Sequence, residues 1–168
     1  AEYGMLLHLA WGYRDILGTE ALGHRERKRL CGMGEEILAA IAPCPECDGL
    51  MLVRTCAEAD TNERIHAYLN NNLWSIRGLC ALDAMLHRLG AKNNGSYKKM
   101  ADILQMNVSR LLKEQSVCDS RFGILPPFRF DYTPTPHTLS YCRKTFAPMD
   151  DEDYAEYVNA SKSRGREK

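Results

Sequence analysis

Two cysteines separated by two residues, Cys44 and Cys47, are the side chains of this sequence best suited to carry chemistry. They stand in the segment 43–49, PCPECDG, whose prolines and glycine are typical of a tight turn. Two thiolates at this spacing can bind the same tetrahedral ion when the turn directs its amides toward the sulfur atoms. One such turn supplies two of the four ligands that a closed site needs. The spacing therefore predicts half of a structural metal site.

The cysteine pair resembles a zinc knuckle, which implies zinc as the ion. Cys56, beyond a short predicted strand, is the best third ligand. His66, expected near the start of the next helix, is the predicted fourth ligand, with Cys31 as the alternative. Seven cysteines without a signal-peptide pattern favour reduced thiols or metal ligands over a disulfide framework. A set of reduced, metal-free cysteines is the competing interpretation.

A second candidate lies in residues 96–116, where two short helices, 97–104 and 108–115, are predicted around a turn at 105–107. Ala101 is the small residue that lets the second helix pack on the first, and Leu104, Met106 and Leu111 occupy inward positions. The segment resembles the helix-turn-helix family of DNA-binding regulators, although Gln105 stands where that family usually has glycine. The resemblance implies that the second helix enters the major groove of double-stranded DNA.

On this resemblance, Arg110 is the natural guanine reader and two lysines of the first helix neutralise phosphates. The predicted DNA-contacting residues are Lys98, Lys99, Asn107, Ser109, Arg110 and Lys113. Residues 86–113 contain six Lys or Arg and one Asp, so this stretch carries a charge of +5. The whole chain is formally neutral, which weakens any expectation of strong nonspecific binding to nucleic acid.

An enzyme interpretation rests on His24 and Glu26 followed by the two cysteines, which resembles the signature of zinc-dependent nucleobase deaminases. There the His and both Cys bind zinc and the Glu transfers protons. Only 16 residues separate Glu26 from Pro43, fewer than that family needs for a helix end and a core strand. The deaminase is therefore the third hypothesis. The second is a protein-interaction adaptor that uses the same helices and a proline- and aromatic-rich arm without binding DNA.

Apolar residues at helical spacing predict the main elements. We expect a helix over 2–17, a helical stretch over 20–41 that glycines at 32 and 34 divide in two, and one long helix or two in series over 60–89. A strand is expected over 50–54, an extended arm or hairpin over 122–137, and a short acidic helix over 150–161. The apolar stripe of 60–89 would serve either as a homodimer interface or as part of the chain's own core.

The sequence thus predicts a mainly α protein, a helical domain with a small zinc-knuckle/β insert and a helix-turn-helix. Its expected parts are 1–59 (helices and knuckle), 60–120 (helical core with the helix-turn-helix) and 121–168 (arm, acidic helix and basic tail). No apolar run is long enough to span a membrane, so a cytoplasmic location is expected. The leading hypothesis is a non-enzymatic, zinc-stabilised regulator of transcription that binds specific DNA and acts with RNA polymerase. Its small size would suit a phage or other mobile element.

Overall fold

The computed structural model of the chain describes residues 1–17, 22–56, 65–91, 95–119 and 123–131. These ranges contain four α-helices and two small antiparallel sheets, which confirms the predicted mainly α fold with a small β insert. The elements in chain order are α1 (Glu2–Leu17), α2 (His24–Ala39), β1 (Ile41–Cys44), β2 (Leu50–Val53), α3 (Leu69–Arg88), α4 (Ser96–Gln115), β3 (Val117–Asp119) and β4 (Gly123–Leu125). The predicted helix over 150–161 lies outside the described residues.

Helix α1 has the predicted bounds and packs along α3. The two helices meet at Gly4 and Gly78, where a Cβ atom added to Gly78 would lie 2.6 Å from the Cα atom of Gly4. A Cβ atom added to Gly4 would collide with the backbone of Trp74. The two backbones therefore touch here, and any side chain at either glycine would force the helices apart.

Helix α2 is a single helix, so the predicted division at its glycines is wrong. Gly34 is buried because α2 passes close to α3 and α4 at this point, and a Cβ atom there would lie 3.0 Å from Cε1 of Tyr97. At the next residue of α2, Glu35, the hydroxyl of Tyr97 donates a hydrogen bond of 2.5 Å to Oε1. Tyr97 thus fixes the start of α4 against α2.

The β insert is a hairpin of β1 and β2, with Ile41 opposite Val53 at its open end and Cys44 opposite Leu50 beside its turn. Strand β2 was predicted, whereas β1 was not. Ile41 continues the apolar run at the end of α2, so the sequence pattern assigned it to the helix. The asparagines at the start of α3 hold this hairpin through side-chain hydrogen bonds to its backbone and to that of Cys56.

Helix α3 begins at Leu69, later than predicted, and residues 65–68 are extended. His66 and Thr55 exchange two backbone hydrogen bonds of 3.1 Å, which draws this segment toward the chain that leaves β2. The C-terminal half of the apolar stripe of α3 lies inside the chain's own core, as the second of its two predicted roles requires, whereas Leu73 is 43% exposed. The main core cluster comprises Leu7, Ile37, Val53, Leu79, Leu82, Met85, Leu86, Tyr97, Ala101 and Leu104.

Strand β4 lies at the start of the predicted arm and pairs with β3, which precedes the arm; the described part of the arm then continues as an extended segment to Asp131. This last segment packs on its own chain: the amide of Phe130 donates to the carbonyl of Ala67 over 2.9 Å, and the Phe130 ring is fully buried. A second, smaller core cluster forms around that ring. Its members are Cys44, Cys47, Leu52, Ala67, Val108, Leu111 and Phe130.

Candidate functional site

The turn of the β1–β2 hairpin brings the two predicted thiol ligands together. Pro45 starts a short 3₁₀ turn that ends at Cys47, and the chain then reverses through left-handed residues, Asp48 at φ 54° and Gly49 at φ 72°. The amide of Gly49 donates a 2.9 Å hydrogen bond to the carbonyl of Cys44, which closes the turn. Gly49 suits this position because a left-handed backbone costs glycine little.

The Sγ atoms of Cys44 and Cys47 lie 3.2 Å apart, and both residues are buried. The thiol of Cys47 also donates to the carbonyl of Phe130 over 3.4 Å, and that of Cys44 donates to Oε2 of Glu46 at the same distance. The thiol pair is therefore enclosed by its own turn and by the segment that ends at Asp131.

Burial is the first cause that raises the pKa of both thiols above the ordinary value for cysteine. For Cys47 the hydrogen bond with Cys44 adds to the effect, and the carboxylates of Glu46 and Asp131 raise the pKa of both thiols further. Reactive dithiols have a lowered thiol pKa. The electrostatics therefore disfavour a redox-active dithiol, and a cation placed between the sulfur atoms would compensate the local negative potential.

A polar cluster lies beside the thiols, formed by His66, Arg129 and Asp131. Nδ1 of His66 is 2.9 Å from Oδ2 of Asp131 and also contacts Nη1 of Arg129. Arg129 and Asp131 are both buried although they alternate with Phe130 along an extended segment. Asp131 does not stand out in the sequence, because its role depends on residues 65 positions or more away in the chain.

The other predicted ligands do not join the thiols. Cys56 is exposed and follows the open end of the hairpin; β2 alone separates that end from the turn by about 10 Å at 3.3 Å per residue. Cys31 packs against the other core cluster. His66 lies on the extended segment just before α3, near a helix start as predicted, but its ring is held against Asp131. Within the described ranges, no three His, Cys, Asp or Glu side chains form a ready metal-binding group.

Residues 96–115 form one continuous helix, α4, so the predicted turn at 105–107 and the two-helix motif built on it are wrong. The physical reason is plain in the sequence, since the segment 96–115 contains neither glycine nor proline to stop a helix. Asn107 is buried and its side-chain amide donates to the carbonyl of Met51 over 2.9 Å. Asn107 therefore joins α4 to the hairpin and does not face solvent as a DNA contact would.

Two of the remaining predicted DNA contacts are paired within the chain. Arg110 forms ion pairs of 2.8 Å with Glu114 on its own helix and with Asp48 in the hairpin turn, and Lys98 pairs with Asp102. Lys99, Ser109 and Lys113 are exposed. The outward face of α4 thus offers few positive charges that are not already balanced nearby.

A more strongly basic surface lies on the first two turns of α2. We call it the α2 basic patch; its members are Arg25, Arg27, Lys28 and Arg29. Glu26 is the only acid among residues 24–29, and the described residues hold no carboxylate paired with Arg25, Lys28 or Arg29. Cations near a helix N-terminus oppose the helix dipole, so this patch lowers the stability of α2 unless an anion binds it.

The arrangement that a deaminase requires does not form in the described part of the chain. His24 is an exposed residue at the start of α2 and belongs to no metal-binding group with Cys44 and Cys47. The described strands form only two-stranded sheets, without the larger sheet of that family.

Comparison of the chain with protein-family models, with curated proteins and with solved structures found no match. Among the described helices, none has both the length and the apolar character needed to cross a membrane.

Proposed function

We propose that this protein binds one structural zinc ion through Cys44 and Cys47. The observation that supports it is the 3.2 Å approach of two buried Sγ atoms in the turn of a hairpin. Two thiolates on a tetrahedral zinc, with Zn–S bonds of about 2.3 Å, lie about 3.8 Å apart. The ion would fit if the two sulfur atoms moved about half an ångström further apart.

We assign Asp131 as the third donor in place of Cys56. The carbonyl of the preceding residue, Phe130, contacts the thiol of Cys47, so the chain brings Asp131 next to the pair, and its negative charge contributes to the raised pKa of both thiols. The three side chains do not form a metal-binding group as they stand, so the Asp131 carboxylate would have to turn toward the sulfur atoms to bind the ion. Carboxylate oxygen is an accepted zinc ligand. His66, which contacts Oδ2 of Asp131, would then orient that carboxylate, as residues behind the ligands of metal sites commonly do.

The test is the zinc content of the purified chain and its affinity in a competition titration with a chromogenic chelator. Wild type should hold one equivalent, and Cys44→Ser or Cys47→Ser should abolish tight binding. Asp131→Asn should weaken it more than His66→Ala, for which a loss of about 10–100-fold is expected. Cys31→Ser and Cys56→Ser are matched controls that should retain full binding. A wild-type chain that neither contains nor takes up zinc would overturn the proposal.

Binding of double-stranded DNA is the second candidate function, and the unbalanced α2 basic patch is the observation that favours it. Four cations within residues 25–29 would repel one another on the free helix, and phosphates would relieve that repulsion. This candidate keeps the predicted ligand but moves the contact surface from α4 to α2. The expected association with RNA polymerase stays a prediction.

Fluorescence anisotropy with a labelled duplex of mixed sequence, over a range of salt concentrations, tests this candidate. The triple variant Arg25→Ala, Lys28→Ala, Arg29→Ala should bind more weakly and lose about 2–3 units from the slope of log K against log salt. The matched control, Lys99→Ala with Lys113→Ala, should change the slope little. Equal losses in both variants, or no binding by wild type, would contradict a DNA surface on α2.

A further inference from the structure

Helix α1 is apolar on both of its faces. The inner face packs on α3 through Gly4 and Leu7, whereas the outer face presents large apolar side chains to solvent. We call this outer face the α1 stripe; its members, which are 46–81% exposed, are Tyr3, Leu6, Leu9, Tyr13 and Ile16. A helix that is apolar all round is ordinarily buried on all sides. The α1 stripe therefore lacks a partner among the described residues.

We propose that the α1 stripe is the interface of a homodimer in which two α1 helices pack antiparallel across a two-fold axis. The spacing of the stripe supports a second copy as the occupant. In an antiparallel pair centred between Leu9 and Ala10, Tyr3 lies opposite Ile16 of the second copy and Leu6 lies opposite Tyr13. Leu9 then sits beside the axis, near its own copy. Each large side chain of the stripe thus meets another member of the stripe, which is the self-complementarity that a two-fold interface requires.

Charge on α1 also favours a second copy over an anionic surface. Glu2 is the charged residue described as exposed on this helix, whereas Arg14 is buried. Helices that lie on anionic membranes carry lysine or arginine along the border of their apolar face. The border of the α1 stripe carries no lysine or arginine. Glu2 lies at the end of the stripe, so in the antiparallel pair it would stay at the rim in contact with water, and the centre of the interface would bury no unpaired charge.

The exposed area is sufficient for a specific if modest interface. The five side chains expose on the order of 500 Å² per chain, at the upper end of apolar patches on monomeric proteins. Two copies would bury about 1,000 Å² together, which reaches the lower bound for specific interfaces. This dimer does not depend on zinc or on DNA. Its test can therefore succeed or fail whatever the tests of zinc binding and DNA binding show.

Molar mass from light scattering coupled to gel filtration, at several micromolar concentrations, tests the dimer. Wild type should elute with the molar mass of a dimer, and Leu9→Glu should convert it to a monomer with an unchanged helical circular dichroism spectrum. Met106→Glu on α4 is the matched control, because Met106 is 66% exposed and Leu9 is 65% exposed. The control should remain dimeric. A monomeric wild type, or the same mass for both variants, would overturn the proposal.

Oxidative crosslinking gives a second measurement that does not rely on disrupting the interface. Leu9→Cys should form a disulfide-linked dimer beyond the wild-type background, since two copies of residue 9 face each other near the axis. Ile16→Cys should not, because a helix rises about 1.5 Å per residue and would place its two copies about 20 Å apart. Crosslinking at position 16 but not at position 9 would contradict the antiparallel arrangement.

Discussion

Asn72 on α3 completes the hydrogen bonding of Val53 on strand β2 as a neighbouring strand would. Its Oδ1 accepts a hydrogen bond of 2.9 Å from the amide of Val53, and its Nδ2 donates to the carbonyl of the same residue over 3.1 Å. A further bond of 2.8 Å runs from Nδ2 to the carbonyl of Tyr68, one turn earlier. Asn72 is fully buried, so it satisfies three backbone groups that have no access to water.

Replacement of Asn72 by alanine should therefore destabilise the chain. The loss leaves buried backbone groups unpaired, each of which costs about 1–3 kcal/mol. Urea denaturation followed by circular dichroism measures the free energy of unfolding. Gln105→Ala on the exposed side of α4 is the control and should change it little. An Asn72→Ala variant as stable as the control would show that these bonds do not stabilise the hairpin.

The crossing of α1 and α3 should tolerate no side chain at Gly78. Gly78→Ala places a methyl group against the backbone of Gly4 and should lower the free energy of unfolding by about 1–3 kcal/mol through overpacking. Gly12→Ala, on α1, adds a methyl group that meets nothing within 4 Å and should instead stabilise the helix by about 1 kcal/mol. Thermal denaturation of both variants gives the comparison. Equal shifts in Tm would argue against the close crossing.

Tyr97 should make the chain less stable at alkaline pH. Burial first, and then the hydrogen bond to Glu35, raises the pKa of Tyr97 above its ordinary value of about 10. Above about pH 10 the hydroxyl of Tyr97 loses its proton in the unfolded chain but keeps it in the folded chain. The free energy of unfolding therefore falls as pH rises. The nearby thiol of Cys31 also has a raised pKa. Cys31 is unchanged in a Tyr97→Phe variant, so a comparison of that variant with wild type isolates the contribution of Tyr97.

Urea denaturation of wild type and Tyr97→Phe between about pH 8 and pH 11 isolates that contribution. The decline with pH should be shallower in Tyr97→Phe. Parallel declines in the two proteins would assign the alkaline sensitivity to other groups.

The cysteines should differ in their rates of alkylation. Cys56 is exposed, whereas Cys44 and Cys47 are buried and have a raised pKa, so their thiolate fraction is small at neutral pH. A time course with iodoacetamide, resolved by peptide mass spectrometry, should show Cys56 modified first. A metal chelator added to the reaction removes any bound metal ion. Slow alkylation that persists in the chelator is then due to burial of the thiols. Equal rates at all three cysteines in chelator would mean that the knuckle is open to solvent.

The sequence predicted those features that depend on local patterns. The bounds of α1 follow from apolar spacing, and the knuckle turn follows from Pro45 and Gly49. The prediction of two helices within α4 failed because a motif was fitted over a segment that has no helix-stopping residue. Asn72, Asn107 and Asp131 act on backbone and side chains far away in the chain, and no spacing in the sequence reveals such partners. For the same reason the exposure of the α1 stripe became visible only with the packing of α1 on α3.

Cys47 and Phe130 touch across a separation of 83 residues, and this separation has a consequence during translation. The hairpin is local and can pair within microseconds of leaving the ribosome. The segment that covers its thiols does not yet exist at that time. At about 5–20 residues per second, the ribosome needs about 4–17 s to reach Phe130 after making Cys47. For those seconds the nascent chain exposes both sulfur atoms to metal ions and to oxidants. The two thiols can therefore bind a metal ion or be oxidised before the segment around Phe130 covers them.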